Sequence, residues 1–192
     1  RRFAADDRHA LSAAATEASF EDGDDVPVVH LVTDEALALG WAAVPAAAAT
    51  GGAVLLTAGD RLPKATAAAL ARLRPDEVVV VGPEATISDA VATAAGRYAA
   101  RVTRVDARTA WGAGTALTRR AFPAASEAWV ASGRNPVHLA VAASVAAARR
   151  APLVVVDGRT STLAATESAL LEDLGATSVT VVGGTDDVSA GI

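Results

Sequence analysis

Residues 53–88 read AVLLTAGDRLPKATAAALARLRPDEVVVVGPEATIS, and residues 152–189 read PLVVVDGRTSTLAATESALLEDLGATSVTVVGGTDDVS. Both run through the same order: an apolar run, a polar turn, a segment rich in alanine and leucine, a β-branched run ending in glycine, and a serine. Thr66 answers to Thr166, Leu70 to Leu170, Leu73 to Leu174, Gly82 to Gly183 and Ser88 to Ser189, at offsets of 100 or 101. Such an offset is far longer than a solenoid period, so a domain-sized unit occurs twice.

Each copy reads strand, helix, strand, helix. VVVVG at 78–82 and VTVVGG at 179–184 lack polar alternation, as strands buried on both faces of a parallel sheet do. Pro63 suits a first helical turn, Thr162 is placed to cap the matching helix, and Gly175 stands where a helix ending at Leu174 needs a left-handed residue. The fold class is α/β: two tandem Rossmann-like βα repeats with parallel sheets covered by helices.

Upstream, Arg2-Phe3 reads as the end of a strand before a helix that Asp6 or Asp7 would cap, and Arg104-Val105 repeats this before the segment ending at Phe122. VVHLVT at 28–33 and AWVAS at 128–132 are the next strands, with Thr33 matching Ser132. Alanine-rich helices follow, ending at Thr50-Gly51-Gly52 and Arg149-Arg150; Pro45 should bend or break the first of them. RVTRV at 101–105 opens the second copy without a flexible linker, so the expected units are 1–100 and 101–192. The second copy stops three residues after Ser189, and its last helix is expected to be cut short. No methionine occurs, so Arg1 is not a translation start, and an upstream segment such as a signal peptide is expected.

The chain is 52% hydrophobic yet only 4% aromatic, which predicts helices packed closely on the sheets through alanine. Its longest apolar stretch, 40–56, is broken by Pro45 and Gly51-Gly52, so no membrane span is expected. Without cysteine there is neither a disulfide framework nor a thiolate metal site. His9, His30 and His138 sit in unrelated contexts, and the acidic loop 21–25, EDGDD, lacks the ligand alternation of a calcium loop, so no metal is expected. There is no nucleophile elbow or phosphate loop, and Gly112-Ala113-Gly114 lacks the third glycine of a dinucleotide fingerprint. The reading is a protein with no catalytic residues and no cofactor.

Charge is unevenly spread. Residues 1–96 carry seven basic and fourteen acidic side chains, net −7, whereas 97–192 carry ten and eight, net +2. Arg97, Arg101, Arg104, Arg108, Arg119 and Arg120, interrupted by the single acid Asp106, form the candidate anion-facing set. Gly183, Gly184 and Thr185 stand between a strand and a helix start, where backbone N–H groups meet anions. With few aromatics and a net charge of −5, nucleic acid is not an expected partner.

The order of these motifs resembles the cell wall binding repeat 2 family of bacterial surface proteins. Residues 2–8, RFAADDR, follow that family's R-hydrophobic-x-G-x-D-R opening through Asp7 and Arg8, with Ala5 in place of glycine. Ala131-Ser132-Gly133 matches its A-S-G strand end, Gly52 to Thr57 its G-A-P-hydrophobic-L-L-T strand, and Val182 to Ser189 its V-G-G-x-x-x-V-S turn. Gly82, Ser88 and Ser189 fall on repeat-motif positions. The departures are Leu39 and His138 at the family's helix Asp, Thr109-Ala110 in place of Asp-Arg, and Gly82-Pro83 in place of Gly-Gly. The resemblance implies an exported, wall-associated, noncatalytic bacterial module that binds an anionic wall polymer or peptidoglycan. It also implies repeats around a pseudo-threefold axis, so two copies are expected to leave apolar surface that either stays exposed or is covered by self-association with another chain. Two other readings stay open: a degenerate repeat pair serving as a structural or protein-interaction scaffold, and a small nucleotide- or sugar-binding α/β enzyme.

Overall fold

The computed structural model describes residues 4–21 and 23–192. The strand predicted at Arg2-Phe3 and Asp22 of the acidic loop lie outside the described residues. Four parallel strands form one sheet in the order β2-β1-β3-β4: β1 Val28–Thr33, β2 Ala53–Thr57, β3 Glu77–Val81 and β4 Arg101–Val105. Three more form a second parallel sheet in the order β6-β5-β7: β5 Glu127–Ser132, β6 Leu153–Val156 and β7 Ser178–Val182. Strand order and register repeat, since Thr33 pairs with Thr57 and Ser132 with Val156.

Between them run the helices α1 Arg8–Glu17, α2 Leu37–Trp41, α3 Ala43–Thr50, α4 Lys64–Leu73, α5 Asp89–Ala95, α6 Ala110–Ala121, α7 Pro136–Arg149 and α8 Ala165–Leu174. The chain forms two compact units, Arg1–Leu37 with Thr50–Asp106, and Ala38–Ala49 with Ala107–Ile192. The first core gathers Val29, Leu31, Leu55, Leu70, Val78 and Val80, all fully buried. The second is built from Ala128, Val130, Val154, Leu170 and Leu174, with Ala49 packed against it.

Several ends form as their residues dictate. Asp7 caps α1, its Oδ1 accepting from the Ala10 amide at 2.8 Å, and that bond holds the Asp7 carboxyl below its ordinary pKa. Thr109 takes the same place before α6, its Oγ1 accepting from the Gly112 amide at 3.1 Å. Gly175 ends α8 in the left-handed conformation at φ +70°. Edge strands β2 and β6 are shielded alike: Thr16 of α1 donates to the Val54 carbonyl at 3.3 Å, and Thr118 of α6 to the Leu153 carbonyl at 3.0 Å.

The structure departs from the sequence reading in three places. Thr162 is not the cap of α8; Ala164 holds that position without a side-chain bond. Pro63 lies one residue outside α4 as its N-cap. The helix around Pro45 does break as expected, into α2 and α3, with Pro45 in the first turn of α3, where N–H groups lack helical acceptors. RVTRV, which opens the second copy in sequence, pairs with β3 in the first sheet, so the repeat boundary and the sheet boundary differ.

Candidate functional site

Parallel α/β sheets leave their open crevice beyond the carboxyl ends of the strands, where loops diverge to opposite faces. Both units have one. In the first, the segments after β1, β2 and β3 bring Asp34, Glu35, Gly59, Asp60, Glu84 and Ser88 around an opening of about 470 Å³, with Arg8 and His9 of α1 at its side. In the second, Ser132, Arg134, Asn135, Arg159, Asp186 and Asp187 line about 170 Å³.

The backbone floor is the same in both. Gly82 and Gly183 follow β3 and β7 with φ +127°, a conformation open to glycine, and each starts an identical turn. Ser88 and Ser189 close those turns by donating their amides to the Gly59 carbonyl at 2.8 Å and the Gly158 carbonyl at 2.9 Å. Gly59 and Gly158 are required there: a Cβ would lie 2.6 Å from the Thr86 carbonyl oxygen in one unit and 1.7 Å from that of Asp187 in the other. Ser88 also caps α5, accepting from the Val91 amide.

The walls differ. In the first unit Arg8 forms an ion pair with Asp34, which is buried behind it. The corresponding residues of the second unit are Ala110 and Gly133, and a Cβ on Gly133 would come within 2.7 Å of the Ala110 Cβ, so close packing replaces the ion pair. Arg134 lies 5.5 Å from the Trp111 ring centroid and binds Asp157 through Nε and, at 2.8 Å, through Nη2. That bond raises the Arg134 pKa and lowers that of Asp157. His138 stands where the family has its helix Asp; its Nδ1 is 2.9 Å from Asp187, which also accepts from Asn135 Nδ2 at 2.8 Å.

The arginine run is shared between the two units. Arg97, Arg101 and Arg104 belong to the first unit and Arg108, Arg119 and Arg120 to the second, where Arg108 and the Arg119-Arg120 pair flank opposite ends of α6. Arg101 binds the buried carboxylate of Glu77 at 2.8 Å, which raises its pKa, while Thr103 donates to the other oxygen at 2.6 Å. Arg104 is largely buried and donates through Nη1 to the Gly82 and Ile87 carbonyls, both at 2.9 Å, and through Nη2 to Asp89 at 2.8 Å. It clasps the turn after β3. Arg119 pairs with Asp173 at 2.9 Å. Arg97 and Arg108 are exposed. Gly183 to Thr185 directly precede Asp186 and Asp187 in the chain, and it is these two acids that line the second crevice.

Among the described residues no group of three or more His, Cys, Asp or Glu is placed to hold a metal, and no helix is long and apolar enough to cross a membrane. Gly112 and Gly114 lie in α6, where Gly114 brings the helix against β6, since a Cβ would meet Val155 at 2.8 Å.

Fold and crevices define a duplicated, parallel α/β protein whose polar openings lie at the strand ends. Residues 2–92 match the family model of cell wall binding domain 2, and this segment belongs to that family. The chain is similar in structure to Cwp6 from Clostridium difficile, with a TM-score of 0.87 and 19% identity over 99% of this chain and 30% of that one. It is similar also to Cwp8 from Clostridium difficile, with a TM-score of 0.86 and 23% identity over 97% of this chain and 31% of that one. At these identities the likeness shows the fold, and the chain spans less than a third of either protein. No curated protein matches it.

Proposed function

We propose that this chain is a noncatalytic module that holds an exported protein on the bacterial cell wall through an anionic wall polymer or peptidoglycan. The observation that carries the reading is the family match over residues 2–92, supported by the second copy's retention of the same turns at Gly183 and Ser189. The exposed arginines are the contacts proposed for an anionic polymer, with Arg97 and Arg108 foremost because Arg101 and Arg119 already hold carboxylates. Arg104 supports the fold.

Sedimentation of the chain with purified wall, before and after extraction of the anionic polymers, tests this. Binding is expected to native wall and to be lost on extraction; retention after extraction assigns peptidoglycan, and binding to neither overturns the proposal. Attraction between exposed charges is screened, so binding should weaken as salt brings the Debye length below about 8 Å. Replacing Arg97 and Arg108 by Gln should lower wall binding and leave the melting temperature unchanged.

A further inference from the structure

The free hydrogen-bonding capacity of the second crevice lies mainly on donors. Ser132 is only 1% exposed; its hydroxyl accepts from the Arg134 amide at 3.2 Å, and its own proton meets no acceptor among the described residues. Asn135 uses Oδ1 for the Val137 and His138 amides, both at 3.2 Å, and one Nδ2 proton for Asp187, which leaves the other proton open. Arg134 binds Asp157 through Nε and Nη2, so its Nη1 stays open. Arg159, exposed on the same rim, makes no ion pair or side-chain hydrogen bond among the described residues. Against these four side-chain donors stands one free carboxylate, that of the exposed Asp186, since both oxygens of Asp187 already face Asn135 and His138.

We infer that the second crevice holds one uncharged sugar ring of a wall glycan, an inference that rests on the proposed attachment to the wall. A volume of about 170 Å³ is below the roughly 300 Å³ at which ordinary ligand pockets begin, so a single ring fits and a nucleotide does not. In a glycan the ring and linkage oxygens only accept, whereas each hydroxyl both accepts and donates. The ring therefore offers the surplus of acceptors that the donors require, and neighbouring hydroxyls suit Arg159 and Asp186, the first donating and the second accepting. Charge selects an uncharged unit, because Asp186 and Asp187 line the same crevice and repel a uronate or a phosphate. The first crevice does not match: Glu35 and Glu84 carry free carboxylates, and both guanidiniums, Arg8 and Arg61, already pair with acids.

The test titrates the full chain with the methyl glycosides of glucose, galactose, N-acetylglucosamine and glucuronic acid and follows backbone amide resonances. A neutral glycoside should shift Asn135, Arg159 and Asp186 while Glu35 and Glu84 stay unmoved, and the glucuronic acid glycoside should bind more weakly. Arg159→Gln and Asp186→Asn should each lower the affinity for the neutral glycoside about tenfold, as loss of a hydrogen bond to a charged group does, with the melting temperature unchanged. Neutral glycosides that leave these resonances in place, or a glucuronic acid glycoside that binds more tightly than all of them, overturn the assignment. Sedimentation with purified wall separates this site from the attachment itself. A parent chain that stays in solution while a glycoside still shifts the crevice overturns wall attachment alone, and one that sediments while none does overturns the sugar site alone.

Discussion

The first crevice is walled by an ion pair and the second, at the same positions, by two small residues. Arg8 and Asp34 face each other in one unit, while Ala110 and Gly133 nearly touch in the other. The glycine floor beneath them is common to both. What differs is side-chain chemistry at the mouth; what persists is the backbone path that joins strand ends to helix starts. Divergence between the two copies has therefore acted on the side chains at the crevice mouth and spared the turns the fold needs.

Four sets of substitutions sharpen or break that comparison. The largest effect is expected at the floor: Gly158→Ala forces a Cβ to 1.7 Å from the Asp187 carbonyl oxygen and should cost about 3 kcal/mol. Gly59→Ala, at 2.6 Å, should cost about 2 kcal/mol, whereas Gly184→Ala, with open space around it, should stay within about 0.5 kcal/mol. Denaturant melts of the three variants check the order, and equal losses at Gly158 and Gly184 would mean that the floor is not a shared constraint.

Next come the walls. Gly133→Ala should lose about 2 kcal/mol through its clash with Ala110 and Val155, whereas Asp34→Ala should change stability by no more than about 1 kcal/mol, since Arg8 is largely exposed. A larger loss for Asp34→Ala would show that the ion pair, and not the small-residue contact, is the tighter of the two joints.

A third set probes one residue type kept for different work. Thr66 is fully buried and donates to the Leu56 carbonyl at 2.7 Å, while Thr166 is exposed and donates to Glu167 at 2.7 Å. Thr66→Val should cost about 1 kcal/mol and Thr166→Val close to nothing. Thermal melts that moved equally would contradict the asymmetry.

The smallest effect concerns acid. Arg134 lowers the Asp157 pKa in the second unit, and Ala58 stands in its place in the first. A carboxyl whose pKa is lower folded than unfolded contributes stability above the unfolded value and loses it as pH falls through the folded one. The melting-temperature difference between the parent and Asp157→Asn should thus be present near neutrality and vanish below the ordinary carboxylate range. A difference independent of pH would assign the effect to packing.

The duplication, the strands and most helix ends were legible because β-branched runs, glycines and caps act locally. Gly175 and Asp7 needed only their neighbours. The sheet that receives Arg101–Val105 was not legible, since order along the chain does not say which of two edges a strand joins. The separation of Arg108 from Arg120 was hidden too: α6 starts just after Arg108 and carries Arg120 in its last turn, a distance that proximity in sequence conceals. The role of Arg104 could have been suspected from its spacing to Gly82, but its two carbonyl partners come together only in the folded turn. The crevice wall at Ala110 and Gly133 left no signal, because two small residues far apart in sequence announce nothing about touching.

The assignment of Ala38–Ala49 to the second unit has a consequence for synthesis. The first unit is complete once Asp106 is made, but this helical piece, translated early, belongs with residues that end at Ile192. At about 5–20 residues per second it waits on the order of ten seconds for its partners. During that interval an alanine-rich helix lies outside the only unit that has closed, and the order of translation is not the order in which the cores are filled.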